Sequence, residues 1–382
     1  MNDIKVPFNK PFISGKELYY IADTVMKGHI SGNGIYTKKC EDYLQDYTGC
    51  QKVLMTNSAT AALEMACILI GIQPGDEVIM PSFTFVSTAN AVVLRGGVPV
   101  FCDIALDDFN IDVEKLEECL SEKTKAIIPV HYAGQSCNMD EIMSFASKHN
   151  LYVIEDAAQS VGSYYKGKHS GSIGDLGCFS FHETKNIMCG EGGALLINNA
   201  DFIEKAEVIR EKGTNREAFF RDEVDLYTWV DQGSSYLPSE LQMAFLYAQL
   251  ENLTAVINKR KNAVDYYIDG LLGLEKNKKL SLPKSHKNST TNYHLFPILC
   301  STNKERDSLI KYLKSYNIIT VFHYIPLHSS PAGEIYGRQG GVDTSVTDKV
   351  SSTLLRLPVY YDITVDEQDY VVRKIIDFYT KK

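Results

Sequence analysis

The chain has 382 residues, of which 44% are hydrophobic and 23% are charged, and its formal net charge is −9 at pH 7. This composition excludes an intrinsically disordered chain, and the acidic balance argues against a general nucleic-acid binder, whose affinity depends on Lys and Arg side chains. No apolar run approaches the roughly 20 residues of a membrane span. Residues 1–5 lack the basic segment and the apolar core of a secretion signal. We therefore expect no nucleic-acid partner, no membrane association and a cytoplasmic location.

Short apolar runs alternate with helical patterns through the first 200 residues. A buried strand over residues 53–56 precedes a helix in which Leu63, Ala66, Cys67 and Ile70 recur at the spacing of one helical face. Further strands are predicted over residues 77–80, 98–101, 126–130 and 151–154, and helices over residues 113–120 and 139–149. Strand–helix–strand alternation of this kind predicts an α/β fold with a largely parallel sheet, in which ligands collect at the carboxyl ends of the strands.

The pattern changes after about residue 199. Helices are predicted over residues 201–211, 239–252 and 258–272, followed by a solvated loop over 275–292, an apolar segment over 293–299, a helix over 306–316 and a strand over 318–322. Ser239, with Gln242 three residues later, has the pattern of a helix-capping box. We predict a large domain over residues 1–250, whose N-terminal segment can pack on a smaller α+β domain over residues 251–382.

The chain has nine cysteines, an odd count, with no Cys-x-x-Cys pair and no Cys/His cluster at the spacing of zinc ligands. Cys67 and Cys102 lie in apolar runs, where a free thiol behaves as a small hydrophobic side chain. His182 and Glu183 could suggest a metal, but no third ligand follows them at helical spacing. The sequence therefore predicts a reducing compartment and no metal site.

One group of residues has the composition of a catalytic site. The predicted strand over residues 151–154 runs into Asp156, and Lys185 follows 29 residues later at another strand end, ahead of the glycine-rich turn over residues 190–193. A pyridoxal 5′-phosphate enzyme needs a lysine that forms a Schiff base with the cofactor and a carboxylate that keeps the pyridine nitrogen protonated. Asp156 and Lys185 are the candidates for these two roles.

A phosphate site is predicted where residues 56–60 connect a strand to the helix that follows it. Backbone N–H groups and the helix dipole favour an anion there, and Ser58 and Thr60 can add hydroxyl donors. The next strand end, residues 81–88, carries aromatic rings that could lie against a cofactor. Each signal alone is compatible with a surface lysine, a strand-end turn or a tight glycine turn. Their order, each at a predicted strand end, favours a cofactor site.

With these motifs the chain resembles the DegT/DnrJ/EryC1/StrS family of sugar aminotransferases, enzymes that aminate keto-sugar nucleotides with pyridoxal 5′-phosphate. The resemblance covers about residues 7–379 and is strongest in residues 75–85, 153–159 and 179–186. It implies the fold of type I pyridoxal phosphate enzymes, which is aspartate aminotransferase-like, with a large, mostly parallel sheet domain and a smaller α+β C-terminal domain. It also implies a homodimer with active sites at the subunit interface.

The resemblance implies roles for individual residues. Lys185 would form the Schiff base, and Asp156 would pair with the pyridinium nitrogen. Gln159 would lie beside the ring hydroxyl, and Phe85 would stack on the ring. The remaining implied contacts are those to the cofactor phosphate, from Ala59, Thr60 and Ser180.

Residues 233–237 depart from the family pattern. Many members have Gly-x-Asn-x-Arg there, with the Asn reaching the cofactor phosphate of the neighbouring subunit, whereas this chain has Gly-Ser-Ser-Tyr-Leu. Ser235 stands in place of the Asn, and its hydroxyl could still supply a donor. The sequence leaves both outcomes open, a lost contact and a serine contact.

Residues 211–216 and 321–328 resemble a subgroup that aminates C4 of a dTDP-linked keto sugar. The resemblance implies that dTDP-4-keto-6-deoxy-D-glucose and L-glutamate give dTDP-4-amino-4,6-dideoxy-D-galactose and 2-oxoglutarate, for synthesis of a surface polysaccharide of the O-antigen or enterobacterial common antigen type. The substrate contacts that it implies are Arg216, His323, Tyr324 and His328. An ordinary loop and a surface salt bridge are the alternative interpretation of these four residues.

Other functions are compatible with parts of the sequence. Relatives that remove a hydroxyl at C3 carry histidine in place of Lys185, so the lysine argues against that reaction. A non-catalytic protein that binds a sugar nucleotide or pyridoxal phosphate is disfavoured by the presence of both Asp156 and Lys185. A transaminase of another keto-sugar nucleotide, giving a C3 amine or a C4 amine of gluco configuration, stays open, because these reactions differ in how the hexose lies in the pocket.

Overall fold

The structure, a computed structural model, describes residues 5–380. Its strands are β1 (Lys52–Thr56), β2 (Glu77–Pro81), β3 (Val98–Cys102), β4 (Thr124–Ile127), β5 (Tyr152–Asp156), β6 (Tyr164–Tyr165), β7 (Lys168–His169), β8 (Leu176–Ser180), β9 (Gly193–Ile197), β10 (Leu280–Ser281), β11 (Ser289–Thr290), β12 (Phe296–Cys300), β13 (Arg338–Gln339) and β14 (Leu354–Leu357). Its α-helices are α1 (Glu17–Met26), α2 (Ile35–Thr48), α3 (Ala59–Leu69), α4 (Val86–Val93), α5 (Leu116–Cys119), α6 (Met139–His149), α7 (Ile203–Arg210), α8 (Arg216–Phe220), α9 (Glu240–Leu250), α10 (Leu253–Lys276), α11 (Asn303–Ser315), α12 (Pro331–Tyr336), α13 (Ser345–Thr353) and α14 (Val365–Thr380). The expectation about a secretion signal falls on residues 1–5, of which 1–4 lie outside the described residues.

Eight strands form a central sheet in the order β1-β9-β8-β5-β4-β2-β3-β13. Strand β9 runs antiparallel to both of its neighbours, and the other pairs are parallel. The prediction of an α/β fold with a mostly parallel sheet is therefore confirmed. Because the other strands share one direction, the segments that follow β1, β2, β5 and β8 all leave the sheet at the same edge.

Helices cover both faces of this sheet. On one face α3 contributes Leu63 to a core that includes Leu54 of β1. On the other face α2 and α9 contribute Leu44 and Met243 to a core that includes Val53. Successive side chains of a strand point to opposite faces, so β1 is buried on both sides. This burial explains why the strands of the large sheet appear in the sequence as continuous apolar runs.

A smaller antiparallel sheet is formed by β10, β12 and β14. The helices α10, α11 and α14 supply Tyr267, Leu309 and Ile375 to its core. Val6 belongs to the same core and pairs with Ile318, so the N-terminal segment packs on the small sheet. Strand β13 instead joins the large sheet beside β3. The division of the chain at residue 250 stays a prediction.

The prediction of a strand over residues 318–322 is wrong. The segment makes two isolated bridges, Val6–Ile318 and Val321–Arg356. Each bridge joins it to a different partner, Ile318 to the N-terminal segment and Val321 to the free edge of β14. The segment therefore changes partner within three residues, so neither pairing extends into a ladder.

Three further predictions differ from the structure in their bounds. The strand predicted over residues 126–130 ends at Ile127, since Pro129 lacks the N–H that a ladder needs. Residues 113–120 form a 3₁₀ turn followed by the four-residue helix α5. The loop predicted over residues 275–292 contains the two-residue strands β10 and β11.

All nine cysteines are buried, and none of them forms a disulfide. Burial raises the pKa of thiols such as that of Cys178, which keeps them protonated and unreactive. Among the helices of residues 5–380, none combines the length and the apolar character that crossing a membrane requires.

Candidate active site

A cavity of about 700 Å³ lies at the edge of the large sheet where the parallel strands end. Most of its lining comes from the ends of β1, β2, β5 and β8 and the segments that follow them. The rest comes from Val130 after β4, from the small domain and from the N-terminal segment. The sequence-predicted residues on its wall are Ser58, Ala59, Thr60, Phe85, Asp156, Gln159, Ser180, Lys185, His323 and Tyr324. The fold thus brings together groups that are far apart in the chain.

Asp156 is the last residue of β5, and it is only 6% exposed. Its Oδ2 accepts a hydrogen bond of 2.7 Å from the hydroxyl of Thr88, and its Oδ1 accepts one of 3.2 Å from the backbone N–H of Ala158. Two donors from different segments therefore fix the carboxylate on the cavity wall. A carboxylate held in this way can receive a further donor, such as a protonated ring nitrogen, without rearranging.

Lys185 lies five residues beyond the end of β8, in a turn in which its backbone N–H donates to the carbonyl of His182 at 2.9 Å. Its side chain is half-buried on the cavity wall. Burial lowers the pKa of its amine to about 8; the charge of Asp156 opposes this effect, and that of Arg356 adds to it. An amine with such a pKa is partly neutral near pH 7, which is the form that attacks a carbonyl.

The segment between β1 and α3 forms an anion cradle. Ser58 caps α3, and its Oγ accepts a hydrogen bond of 3.1 Å from the N–H of Ala61. The N–H groups of Ala59 and Thr60, at the start of the helix, have no acceptor within the helix. Gly193 of β9 lies so close that a Cβ on it would come within 2.5 Å of the Ala59 nitrogen. Any residue larger than glycine at position 193 would displace the backbone that forms the cradle.

These features fit pyridoxal 5′-phosphate. The cradle at the start of α3 suits its phosphate, the fixed carboxylate of Asp156 suits its pyridinium nitrogen, and the amine of Lys185 suits its aldehyde. Ser180, the last residue of β8, is 6% exposed and lies on the same wall. Its hydroxyl adds a donor to this end of the cavity.

Gln159 and Phe85, the two residues expected to contact the cofactor ring, both lie on the cavity wall. Gln159 accepts a hydrogen bond of 2.7 Å from the N–H of Ala133 and donates one of 3.0 Å to the hydroxyl of Tyr324. Both ends of its amide are thereby fixed. The ring of Phe85 is 57% exposed although it lines the cavity, so one of its faces is free to stack on a planar group.

His323 and Tyr324 bring the small domain to the cavity. The Nδ1 of His323 and the hydroxyl of Tyr132 lie 3.1 Å apart and share a hydrogen bond. Burial and the charges of Arg356 and Lys185 hold the pKa of His323 far below its ordinary value. This histidine is therefore neutral, and it can accept or donate a hydrogen bond but carries no charge.

Three residues predicted to contact substrate or cofactor do not line this cavity. The ring of His328 bonds to the hydroxyl of Ser82 at 2.7 Å and to that of Thr344 at 3.2 Å, because the turn over Leu327–Ser329 directs it away from the cavity. Arg216 is exposed, with its guanidinium 5.2 Å from the ring centre of Phe220. Ser235 is exposed, and its carbonyl accepts a hydrogen bond from Asn57 at 3.2 Å.

Sequence reasoning missed several wall residues. They are Phe8, Arg260, His294 and Arg356. All four lie on the N-terminal segment or the small domain, far along the chain from the motifs around Lys185. One signal was available, since the arginine in Leu354–Leu357 interrupts an apolar strand, and a buried charge in such a run needs a reason.

The chain matches known proteins over its whole length. The profile of the DegT/DnrJ/EryC1/StrS aminotransferase family matches residues 12–376. GDP-perosamine synthase of Caulobacter vibrioides is 34% identical over 380 residues, which cover 97% of this chain and 98% of the relative. The spore coat polysaccharide biosynthesis protein SpsC of Bacillus subtilis is 34% identical over 388 residues, which cover 97% of this chain and 96% of that protein.

A solved structure extends the likeness to three dimensions. It is that of Spr1654 of Streptococcus pneumoniae, described as a sugar aminotransferase and solved in its PLP form. The TM-score is 0.89 at 27% identity, and the match covers 99% of each chain.

Proposed function

The chain belongs to the DegT/DnrJ/EryC1/StrS aminotransferase family, and on this premise we propose that it transfers the amino group of L-glutamate to C4 of dTDP-4-keto-6-deoxy-D-glucose. Membership makes it a pyridoxal 5′-phosphate-dependent sugar aminotransferase. The proposed products are dTDP-4-amino-4,6-dideoxy-D-galactose and 2-oxoglutarate. This is the reaction of a dTDP-4-amino-4,6-dideoxygalactose transaminase.

The observation that carries the proposal is the joint position of Asp156 and Lys185 on one cavity wall beside the anion cradle. The lysine supplies an amine of lowered pKa, and the aspartate supplies a fixed carboxylate. A protein that only binds sugar nucleotides has no need of this pair.

Asp156 and Lys185 have different roles in the first half-reaction. The bound cofactor supplies an electron sink for the pair of electrons left on the α-carbon of L-glutamate. Asp156 keeps the ring nitrogen protonated, which maintains that sink. With the cofactor bound, the Nζ of Lys185 would take the proton from the α-carbon of L-glutamate and hold it for return, as a tethered base on the cavity wall.

The second half-reaction runs the same steps in reverse on the keto sugar. Lys185 returns the proton to C4 of the hexose, and the face from which it does so sets the configuration of the new amine. Gln159 and Phe85 hold the ring of the cofactor in place. Neutral His323 and Tyr324 offer hydrogen-bonding groups to the sugar from the cavity wall.

The identity of the nucleotide has the least support of any part of the proposed substrate. The dTDP assignment is supported by the similarity of residues 211–216 and 321–328 to one subgroup. A GDP-linked keto sugar is the alternative, favoured by a relative named GDP-perosamine synthase. The same chemistry on a differently oriented hexose would give a C3 amine or a C4 amine of gluco configuration.

We further propose a homodimer. Residues 215–231 form a loop that contains α8 and exposes several large apolar side chains, among them Phe220 (65% exposed), Leu226 (75%) and Trp229 (78%). An exposed apolar patch of this kind is typical of an interface. Arg216 lies in this loop and Ser235 lies just beyond it, so in a dimer both residues could lie beside the cavity of the partner subunit.

A cytoplasmic setting and a role in polysaccharide synthesis complete the proposal. Nine buried cysteines without a disulfide are typical of a reducing compartment. A relative is named for spore coat polysaccharide biosynthesis. The precursor of an O-antigen or a similar surface polysaccharide is the proposed end use.

The test is proton NMR of the product formed from dTDP-4-keto-6-deoxy-D-glucose, L-glutamate and the enzyme. We expect a new amino sugar with a small coupling between H3 and H4, because the amine of a galacto product is axial. The GDP-linked keto sugar serves as the matched control and should react more slowly. An unchanged dTDP sugar, with turnover of the GDP sugar, would refute the dTDP assignment.

A further inference from the structure

Lys185 lies near the tip of a turn that contains neither helix nor strand. Two backbone hydrogen bonds of 2.8 Å close the base of this turn, one from the N–H of Cys189 to the carbonyl of Phe181 and one from the N–H of Glu183 to the carbonyl of Gly190. Regular secondary structure therefore does not fix the direction in which Lys185 points, and side chains have to anchor the tip of the turn.

Asn186, the residue after Lys185, is such an anchor, because both ends of its side chain are held. It is 5% exposed, and its Nδ2 donates a hydrogen bond of 2.9 Å to the carbonyl of Asn292. Its Oδ1 lies 3.0 Å from the Nδ1 of His294. Since Nδ2 is the donating end of the amide, Oδ1 is the acceptor, so the Nδ1 of His294 carries the proton. Residues 292–294 thus hold the turn of Lys185.

The same segment reaches the residues that follow β5. The Nδ2 of Asn292 donates hydrogen bonds of 2.9 Å to the carbonyls of Gln159 and Val161. Its backbone N–H donates to the hydroxyl of Ser163 at 3.0 Å, and the residue is 2% exposed. One buried asparagine therefore joins the segment of Gln159, expected beside the ring hydroxyl of the cofactor, to the turn of Lys185.

The conformation of this segment is held from α10. Tyr293 has a φ of 57°, in the left-handed region that bulky residues rarely adopt. Arg260 donates from Nε to the carbonyl of Tyr293 at 3.0 Å and from Nη2 to that of His294 at 2.6 Å. The N–H of His294 donates to the Oδ1 of Asn292 at 3.1 Å. Backbone strain persists where the surroundings fix it, and here the fixed segment directs two polar side chains at the large domain.

His294 has a second nitrogen, which offers an alternative role. Burial, with the positive charges of Lys185 and Arg260, holds the pKa of His294 well below its ordinary value. The ring is therefore neutral, and its Nε2 is an acceptor. Because His294 also lines the cavity, this Nε2 could contact a ligand directly. The two roles use different nitrogens, so mutation can separate them.

We propose that Asn186 is a positioning residue, which holds the Nζ of Lys185 where it meets the aldehyde of the cofactor, and that His294 supports it through Nδ1. The inference rests on the role proposed for Lys185. Neither residue takes part in the chemistry in this role. Its importance follows from the cost of misplacing a reacting group, which reaches about 100-fold in rate for a shift of about 1 Å.

The first test compares covalent and non-covalent cofactor binding by the apoenzyme of Asn186→Ala. Pyridoxal 5′-phosphate bonds to Lys185, whereas pyridoxamine 5′-phosphate has an amine in place of the aldehyde and only occupies the site. The rate of covalent loading, measured above pH 8, where the amine of Lys185 is mostly neutral, should fall about 10-fold. The dissociation constant of pyridoxamine 5′-phosphate should stay within about twofold, because the phosphate cradle is unchanged.

Two variants of His294 separate its nitrogens. His294→Asn places an amide N–H near the position of Nδ1, so it can still donate to Asn186 and should retain most of the loading rate. His294→Gln places its amide near the position of Nε2 and should lose as much rate as Asn186→Ala. This pair also provides the test if Asn186→Ala fails to fold.

Asn198→Ala is the matched control. The Nδ2 of Asn198 donates to the carbonyls of Gly171 and Gly174 at 3.2 and 2.8 Å, so this asparagine also joins separate segments. It follows the end of β9 that lies away from the cavity. Asn198→Ala should lower the melting temperature, as Asn186→Ala does, and load at the wild-type rate. Equal slowing in both variants would show that loading follows general stability, against the inference.

The remaining outcomes distinguish the inference from the proposed function. Wild-type loading by folded Asn186→Ala overturns the inference alone, as does a loss of pyridoxamine 5′-phosphate affinity as large as the loss of loading rate. Slow loading by His294→Asn with normal loading by His294→Gln assigns the histidine to a ligand through Nε2 and overturns its support of Asn186. Covalent loading of Lys185→Ala refutes the role of Lys185 and the inference together.

Discussion

Lys185 and Asp156 are tuned by different physical effects. The pKa of Lys185 is lowered by burial, and the positive charge of Arg356 works in the same direction. The Asp156 carboxylate opposes both effects, and it is itself fixed by the hydroxyl of Thr88. Burial and Arg356 therefore keep the amine of Lys185 partly neutral, although the carboxylate of Asp156 favours its protonated form.

The lowered pKa of Lys185 predicts how apoenzyme takes up pyridoxal 5′-phosphate. Only the neutral amine attacks the aldehyde. Its pKa is lowered from an ordinary 10.5 to about 8, so the neutral fraction grows as pH rises through 8 and levels off above it. The rate of covalent loading, measured by stopped-flow absorbance, should follow that curve, whereas an unperturbed lysine would keep gaining rate up to about pH 10.

Two variants test whether this loading curve reports the pKa of Lys185. Lys185→Ala should show no covalent phase and no turnover, with an unchanged circular dichroism spectrum. Arg356→Gln removes a neighbouring positive charge, so its midpoint should move to higher pH. A wild-type midpoint near pH 10 would contradict the burial of this amine.

At the scale of the element, the start of β9 determines the shape of the phosphate cradle. Gly193 would place a Cβ within 2.5 Å of the Ala59 nitrogen, and backbone cannot move aside as a flexible side chain can. We expect Gly193→Ala to weaken cofactor binding at least about 10-fold and to destabilise the fold by about 1–3 kcal/mol. Fluorescence titration with pyridoxal 5′-phosphate and urea denaturation measure the two effects.

The matched control for this glycine lies on a helix. Gly273 of α10 has open space where a Cβ would be, so Gly273→Ala should leave cofactor affinity unchanged and stabilise the fold by about 0.5–1 kcal/mol. Equal cofactor affinity in Gly193→Ala and wild type would show that the cradle does not depend on this close approach.

Elements whose cause is local could be predicted from the sequence. The capping box of Ser239 and Gln242 is present in the structure, and α6 has the predicted bounds Met139–His149. Both depend on neighbours within one turn. The antiparallel direction of β9 and the loss of a strand at 318–322 depend on partners far along the chain, and no local pattern records them.

The residues of the candidate site also differ in whether the sequence could predict their position. Asp156 and Lys185 follow strands of one parallel sheet, whose ends share an edge by rule, so their meeting could be predicted. Arg356 and Phe8 reach the cavity only because the small sheet and the N-terminal segment pack beside it. His328 does not line the cavity although the nearby Tyr324 does, because His328 lies in the turn Leu327–Ser329, where the chain changes direction.

At the scale of the whole molecule, the large apolar side chains of the loop over residues 215–231 are left exposed in one chain. The tip of the loop holds the aromatic rings of Phe219 and Tyr227 6.5 Å apart, and Asn215 ties its two arms together through a hydrogen bond to the carbonyl of Leu226. The loop is therefore ordered by its own contacts while its apolar side chains face outward. A surface built in this way suits a second copy of the chain.

Trp229 makes this dimer measurable, because it is the single tryptophan of the chain and 78% exposed in one subunit. If a partner covers the loop, its emission should shift to shorter wavelength as protein concentration rises, in step with the dimer fraction from sedimentation velocity. Leu226→Asp should raise the dissociation constant of the dimer at least about 10-fold, and the emission of Trp229 should then stay at the longer wavelength of an exposed tryptophan. Val365→Asp, an equally exposed apolar position at the start of α14, should change neither. Red emission at every concentration, with a monomer in the ultracentrifuge, would refute the dimer.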